Sequence, residues 1–325
     1  MTRVLGAVRR KILTPSFSEA APEKRGFHVK DRPGRDLLEK IGVTFLSGFS
    51  RAVHDGSPDE AAPALDEVPA RFRGFAYEGA AMGFAVLDAL SPGAGGRFAR
   101  LLSGRGRDHD YMVHVGLGWA MARTPRFRWP TRGVDPLLRW LVLDGFGFHQ
   151  AYFRTDRVVT RRSPHPALPW PRGRHAWYGA RALDQGVGRA LWFAGGADPD
   201  VVADLVERFD PRRRPDLFSG VGLAATYAGG ADEDELLRLR RRAAGHLPHV
   251  AQGCAFAAEA RRRAGLEVPH TDVASRVLCE LSAREAARLA VETRPAPAGH
   301  DDGDVPAYEV WRCRIADQFV SLGRS

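Results

Sequence analysis

Arg71-Phe72-Arg73-Gly74-Phe75-Ala76-Tyr77-Glu78-Gly79-Ala80-Ala81-Met82 recurs in altered form as Arg212-Arg213-Arg214-Pro215-Asp216-Leu217-Phe218-Ser219-Gly220-Val221-Gly222-Leu223. Pro58-Asp59 and Pro199-Asp200 precede the two stretches at the same offset, 141 positions (199 − 58). Upstream, Arg35-Asp36-Leu37 with Gly42 resembles Arg181-Ala182-Leu183 with Gly188. Downstream, His114 to Ala122 resembles His249 to Ala257. The offset drifts by a few residues between blocks, in Gly- and Pro-containing stretches where loops tolerate insertion. Three blocks in the same order predict a duplicated helical unit.

Helical periodicity dominates the rest. Leu37, Leu38, Ile41, Phe45 and Phe49 share one face, as do Leu137, Leu138, Leu141, Val142 and Phe146. Strand signals reduce to Val158-Val159-Thr160. The expectation is an all-α fold of two pseudo-symmetric halves packed on each other. It has an N-terminal basic arm at 1–24, a first repeat at 25–154 and a Pro/Arg-rich connection at 155–175. A second repeat at 176–293 and a loop with a last helix at 294–325 complete it. Trp170 and Trp177 should anchor the connection. The last helix should set Trp311, Ile315 and Phe319 against Arg312 and Arg314.

Glycines stand in pairs inside apolar helical stretches, among them Gly79 and Gly83, Gly116 and Gly118, Gly145 and Gly147, Gly186 and Gly188, Gly220 and Gly222. Each costs up to about 1 kcal/mol against alanine in a helix interior. Close helix contact, or space for a ligand, offsets that cost.

Of 48 basic residues only Lys11, Lys24, Lys30 and Lys40 are lysines, in a chain of net charge +9. Arginines interspersed with acids, and not with stacking aromatics, disfavour nucleic acid as the partner. They suit an acidic partner such as an acyl carrier protein. Cys254, Cys279 and Cys313 show no metal or disulfide spacing, which predicts reduced thiols in a cytoplasmic protein, with neither a disulfide framework nor a zinc finger and no residue assigned as a metal ligand. No stretch reads as a leader or a transmembrane span. Val4, Leu5, Val8 and Ile12 opposite Arg9, Arg10 and Lys11 form a short amphipathic pattern, suited to peripheral membrane contact or to packing on the protein's own body.

Glu78 lies among small and apolar residues, where a carboxylate is costly unless paired or protonated. Its counterpart is Ser219, so the fold does not require an acid there. Glu78 is therefore the first catalytic candidate, with a salt bridge to Arg73 or Arg97 as the structural reading. His114, matched by His249, and His149 and Asp144 in Leu143-Asp144-Gly145-Phe146-Gly147-Phe148-His149 are the other acid–base candidates. Candidate ligand contacts are Tyr77, Trp119 (opposite Cys254), Asp184, Gln185, Arg189, Trp192 and His249. Asp184 and Arg189 are read as a pair, or Arg189 as a carboxylate anchor. Gly-x-Ser-x-Gly, Walker and dinucleotide patterns are absent. A haem or mononuclear metal site is open, and the cofactor is unknown.

The chain resembles a family of actinobacterial proteins of unknown function, the UnbL type, encoded beside enediyne polyketide synthases. The resemblance rests on Arg73 to Gly79, Leu141 to Gln150, Asp184 to Phe193, and Tyr308-Glu309-Val310-Trp311-Arg312. It implies a role in building an enediyne core from a linear apolar polyene or polyketide intermediate, with the synthase or its acyl carrier protein as partner. The expected action is oxidation, desaturation or cyclisation with acid–base assistance; the alternative is a non-catalytic polyene-binding or synthase-scaffold protein. The resemblance assigns no residue a role.

Overall fold

The computed structural model describes residues 2–91, 95–296 and 303–321, and every regular element among them is helical. In chain order the α-helices are α1 (Thr2–Leu13), α2 (Arg32–Asp55), α3 (Pro58–Asp66), α4 (Ala70–Leu90), α5 (Arg97–Ser103), α6 (Asp110–Met121), α7 (Arg139–Phe153) and α8 (Gly179–Ala194). They continue as α9 (Pro199–Glu207), α10 (Arg214–Ala228), α11 (Glu233–Arg242), α12 (Leu247–Arg263), α13 (Pro269–Cys279), α14 (Ala283–Glu292) and α15 (Ala307–Ser321). From α2 to α6 and from α8 to α12 the order is the same: long helix, short helix opening on proline, long helix, short helix, 3-10 turn, long helix.

Local signals set these boundaries. Asp31 caps α2 through the Gly34 N–H, and Gly56 closes it in the left-handed region at φ 76°. Asp198 caps α9, whereas Ser57 makes no side-chain cap on α3. Capping boxes start α11 (Asp232 with Glu235) and α14 (Ser282 with Glu285). Val158-Val159-Thr160 is not strand but part of a π-helical turn, Asp156–Thr160.

The long helices α2, α4, α6, α7, α8, α10 and α12 stand in a row, each packed on the next. Glycine makes this row tight. A methyl at Gly116 would overlap the Glu78 carbonyl, one at Gly186 the Asp144 carbonyl, and one at Gly220 the Gln185 carbonyl. Backbone therefore meets backbone, and the paired glycines read from sequence serve close packing. The contacts also fix the backbone at the residues that carry buried charge. Gly186→Ala is expected to cost about 1–3 kcal/mol, near the upper end because the colliding atoms are backbone. Gly245→Ala, where nothing lies within 4 Å, should be neutral by comparison. Equal urea midpoints for the two variants would contradict this packing.

The row curls until its end returns to α4. Arg261 of α12 donates to the carbonyls of Ala70 (3.1 Å) and Arg71 (3.0 Å), and Tyr227 of α10 meets Phe75 edge-on at 5.2 Å. α15 is locked to this curl by a buried network. Arg312, which the sequence placed on an outer face, is 3% exposed. It donates to Asp216 (2.8 Å), the Tyr178 hydroxyl (2.8 Å), Glu309 (3.2 Å) and Gln252 (3.0 Å). Arg181 also pairs with Asp216 and Glu309, so two cations balance two anions.

α1 packs on α2, with Arg9 reaching the His54 carbonyl at 3.2 Å. Val8 and Ile12 remain exposed, and the side chains of Val4 and Leu5 lie outside the described residues. In the connection, Trp170 packs on the core while Trp177 is half exposed. Cys254 and Cys279 are buried and Cys313 is exposed; all three are free thiols. No helix among the described residues is long and apolar enough to cross a membrane.

Candidate functional site

Five helices, α2, α4, α6, α7 and α8, wall a narrow cleft with a free volume of about 60 Å³ for water-sized molecules. Its walls are aromatic: Phe45 and Phe49 from α2, Phe75 from α4, Trp119 from α6, Phe148, Tyr152 and Phe153 from α7, and Phe193 from α8. Phe45 and Phe148 both tilt against Trp119, at 4.5 and 5.0 Å between centroids. Phe45 with Phe49 and Phe148 with Tyr152 stand at i, i+4 spacing, which sequence alone reads as ordinary core. The cleft opens to solvent beside Glu19, Arg123 and Phe153.

Glu78 and Arg189 form its deep end. Glu78 is 2% exposed and does not pair with Arg73 or Arg97, which bond the Val68 carbonyl and Asp88. It faces Arg189 at 4.0 Å. Arg189 does not pair with Asp184; its closer partner is Asp144 of α7, fully buried, and its guanidinium also lies 5.2 Å from the Phe148 ring centroid. Asp144 Oδ2 has no hydrogen-bond partner. One buried cation thus serves two buried carboxylates, and one proton can remain on the pair without leaving unbalanced charge. Burial pushes Glu78 up to about 7 and the Asp144 charge adds to the rise, while Arg189 opposes both. The Trp119 indole N–H also favours the Glu78 carboxylate, although it completes no hydrogen bond. Burial likewise raises Asp144, against the pull of Arg189. A carboxyl group that exchanges its proton near neutrality, at the end of an apolar aromatic cleft, is equipped for general acid–base chemistry.

The structure brings Glu78, Asp144, Trp119 and Arg189 together. His149 packs directly behind, edge-on to Trp119 at 5.5 Å, with neither ring nitrogen partnered. Burial, with Arg123, Arg154 and Arg25 nearby, presses it to about 3, so it is neutral at physiological pH. The other candidates lie elsewhere. His114 Nδ1 donates to the Asp110 carbonyl (2.7 Å) and its Nε2 accepts from the Asp135 N–H (3.2 Å), which fixes the approach to α7. Tyr77 donates to Asp66 at 2.6 Å and stacks on His109. Asp184 is clamped by both nitrogens of the Arg213 fork and by His165, pinning the connection to α8. Gln185 accepts from Tyr308, Trp192 donates to the Gly229 carbonyl, and His249 lies beside His246.

A second apolar cleft, on the other side of Arg189, is lined by Leu223, Tyr227, Phe256, Ala260, Tyr308 and Trp311 among others. Gly116 and Gly253 make equivalent contacts, on the carbonyls of Glu78 and Ser219. That register sets Trp119 against Phe256, not Cys254, and Arg123 against Ala260. The first cleft therefore carries an acid and a cation where the second element series has serine and alanine. Ser219 is spent on a hydrogen bond to Gln252 at 2.7 Å. No group of three or more His, Cys, Asp or Glu side chains among the described residues is placed to hold a metal ion.

The chain belongs to the family described as protein of unknown function (DUF1702), whose model matches residues 4–319. No curated protein and no solved structure matches it.

Proposed function

We propose that the protein is an enzyme that moves protons on a long, linear, apolar and conjugated intermediate, and that Glu78 is its acid and base. The observation that carries this reading is the placement of Glu78: a buried carboxyl exchanging its proton at about 7, at the closed end of a cleft walled by aromatic rings. The resemblance in sequence to proteins encoded beside enediyne polyketide synthases supports a polyene-derived intermediate in enediyne-core assembly as the substrate class. The synthase or its acyl carrier protein would then be the partner, met by the arginine-rich surface of a cytoplasmic protein. The parallel order of elements in the two series supports an origin by duplication, with the first copy retaining the chemistry.

The step assigned here is redox-neutral. Protonated Glu78 gives its proton to one carbon of the conjugated chain, and the double bonds shift toward the resulting cation. The ring faces of Trp119, Phe75 and Phe148 stabilise that charge. The Glu78 carboxylate then takes a proton from another carbon, so a double bond migrates or a ring closes and the enzyme is restored. Arg189 lies between Glu78 and Asp144 and favours the ionised form of each, so one cation serves the pair as the proton leaves and returns.

The experiment is incubation of the protein with a synthetic linear polyene in deuterium oxide, with deuterium uptake into recovered polyene read by mass spectrometry. Uptake that depends on Glu78 supports the reading. Tight binding with no uptake overturns the catalytic reading in favour of a protein that shields the chain.

A further inference from the structure

The mouth of the cleft carries uncompensated positive charge. Arg123 follows the last turn of α6 and lines the opening, and its side chain makes no hydrogen bond or ion pair among the described residues. Arg154, just past α7, also has no ion-pair partner among them. Arg123, Arg154 and Arg25 all bear on His149, so three guanidiniums lie near this residue behind the cleft. The acid at this mouth is Glu19, already shared between Lys24 and Arg25, and Arg25 additionally lies over the Phe153 ring at 4.3 Å. The cleft shelters Arg123 enough to lower its pKa, with no anion nearby to offset the effect. A guanidinium without an anionic partner at the rim of an otherwise apolar cleft is free to take up the charge of a ligand. It is well suited to a ligand that supplies the missing charge.

We infer that the cleft binds a linear apolar chain ending in an anionic group, with the anion on Arg123 and the chain running inward past Trp119 to Glu78. The inference rests on the reading that the cleft holds an apolar chain, and it adds the chemistry of the outer end. Arg123 offers a planar fork that suits a carboxylate or a phosphate oxygen pair. Arg154 adds field without needing contact. The anion comes from one of two sources: a free chain-end carboxylate, or the phosphodiester of a phosphopantetheine arm carrying the chain as a thioester. Binding in this direction brings the far end of the chain, and not its charged end, to the proton-transfer group.

The probe is cis-parinaric acid, a fluorescent linear polyene acid, compared with its methyl ester on the full chain. The acid should bind at least about tenfold more tightly than the ester. Arg123→Gln should weaken the acid by that factor and leave the ester unchanged, because the residue lies at the surface of the opening and outside the helical core. Competition then separates the sources. Stronger displacement by S-decanoyl-phosphopantetheine than by decanoic acid assigns the phosphorylated arm, and the reverse assigns the carboxylate. Equal binding of acid and ester, or equal weakening of both by Arg123→Gln, overturns the anion site while leaving the apolar cleft intact. Failure of both probes to bind overturns the reading of the cleft itself.

Discussion

Replacing Arg189 by methionine is expected to destabilise the protein by about 3–5 kcal/mol at pH 8, with a much smaller loss at pH 5. Among the described residues, the guanidinium is the one cation beside both Glu78 and Asp144, each almost wholly buried. Without it, both carboxyls are driven to hold their protons in the folded state. The unfolded chain releases those protons at ordinary carboxylate values near 4. Between there and the raised folded values the folded variant binds more protons than the unfolded one, so its stability falls as pH rises. Urea unfolding of wild type and variant at both pH values reads the effect. Adding Glu78→Gln and Asp144→Asn to Arg189→Met should restore most of the loss at pH 8. An equal loss at both pH values with no rescue would make Arg189 a packing residue and nothing more.

Glu78→Gln is expected to reduce deuterium transfer to a bound polyene by about 10² to 10⁴-fold, the range that a positioned acid–base group supplies. The same variant should not damage the fold. Glu78 sits at about 7 in the folded protein against an ordinary value of 4.5. A raised folded value means that its contribution is fully present below 4.5 and is lost as pH rises through 7, where ionisation in the buried site costs on the order of 3 kcal/mol. Glutamine keeps the shape and cannot ionise. The variant should therefore show a flatter stability profile between pH 5 and 8, and should be the more stable protein at pH 8. Undiminished deuterium transfer would remove Glu78 from the chemistry. A collapsed fold at every pH would make it a structural anchor.

The helical architecture is legible in the apolar periodicity, and the mismatch of Glu78 with Ser219 draws the eye to a carboxyl that the structure buries beside Arg189. The paired glycines announced tight helix contacts, and the structure supplies their partners: carbonyls one helix away. The ion pair of Arg189 was not legible. Asp184 is five residues before it, a spacing that turns the two side chains to different faces of a helix. Asp144 lies on the next helix, brought close because Gly186 lets α8 rest on the Asp144 carbonyl. Sequence spacing cannot anticipate a partner delivered by that contact. Arg312 misled for a related reason. Its neighbours on α15 read as an outer polar face, yet Asp216 and Glu309 offer it charge inside. The cleft lining was hidden because Phe45, Phe148 and Phe193 have the same pattern whether they fill a core or wall a cavity. If the two element series are compared through the Gly116 and Gly253 contacts, Trp119 pairs with Phe256, two residues away from the pairing that the histidine and glycine matches suggest.

Carbon-13 NMR of the glutamate side-chain carboxyls, followed from pH 4 to 9, tests the central claim most directly. Two glutamates are placed near 7, Glu78 in the cleft and Glu259, which burial raises on α12. Two carboxyl resonances should titrate with midpoints near 7, and Glu78→Gln should remove one of them and leave the other in place. If Glu78→Gln instead removes a resonance with a midpoint near the ordinary glutamate value of about 4.3, Glu78 is an ordinary carboxylate and the acid–base account fails.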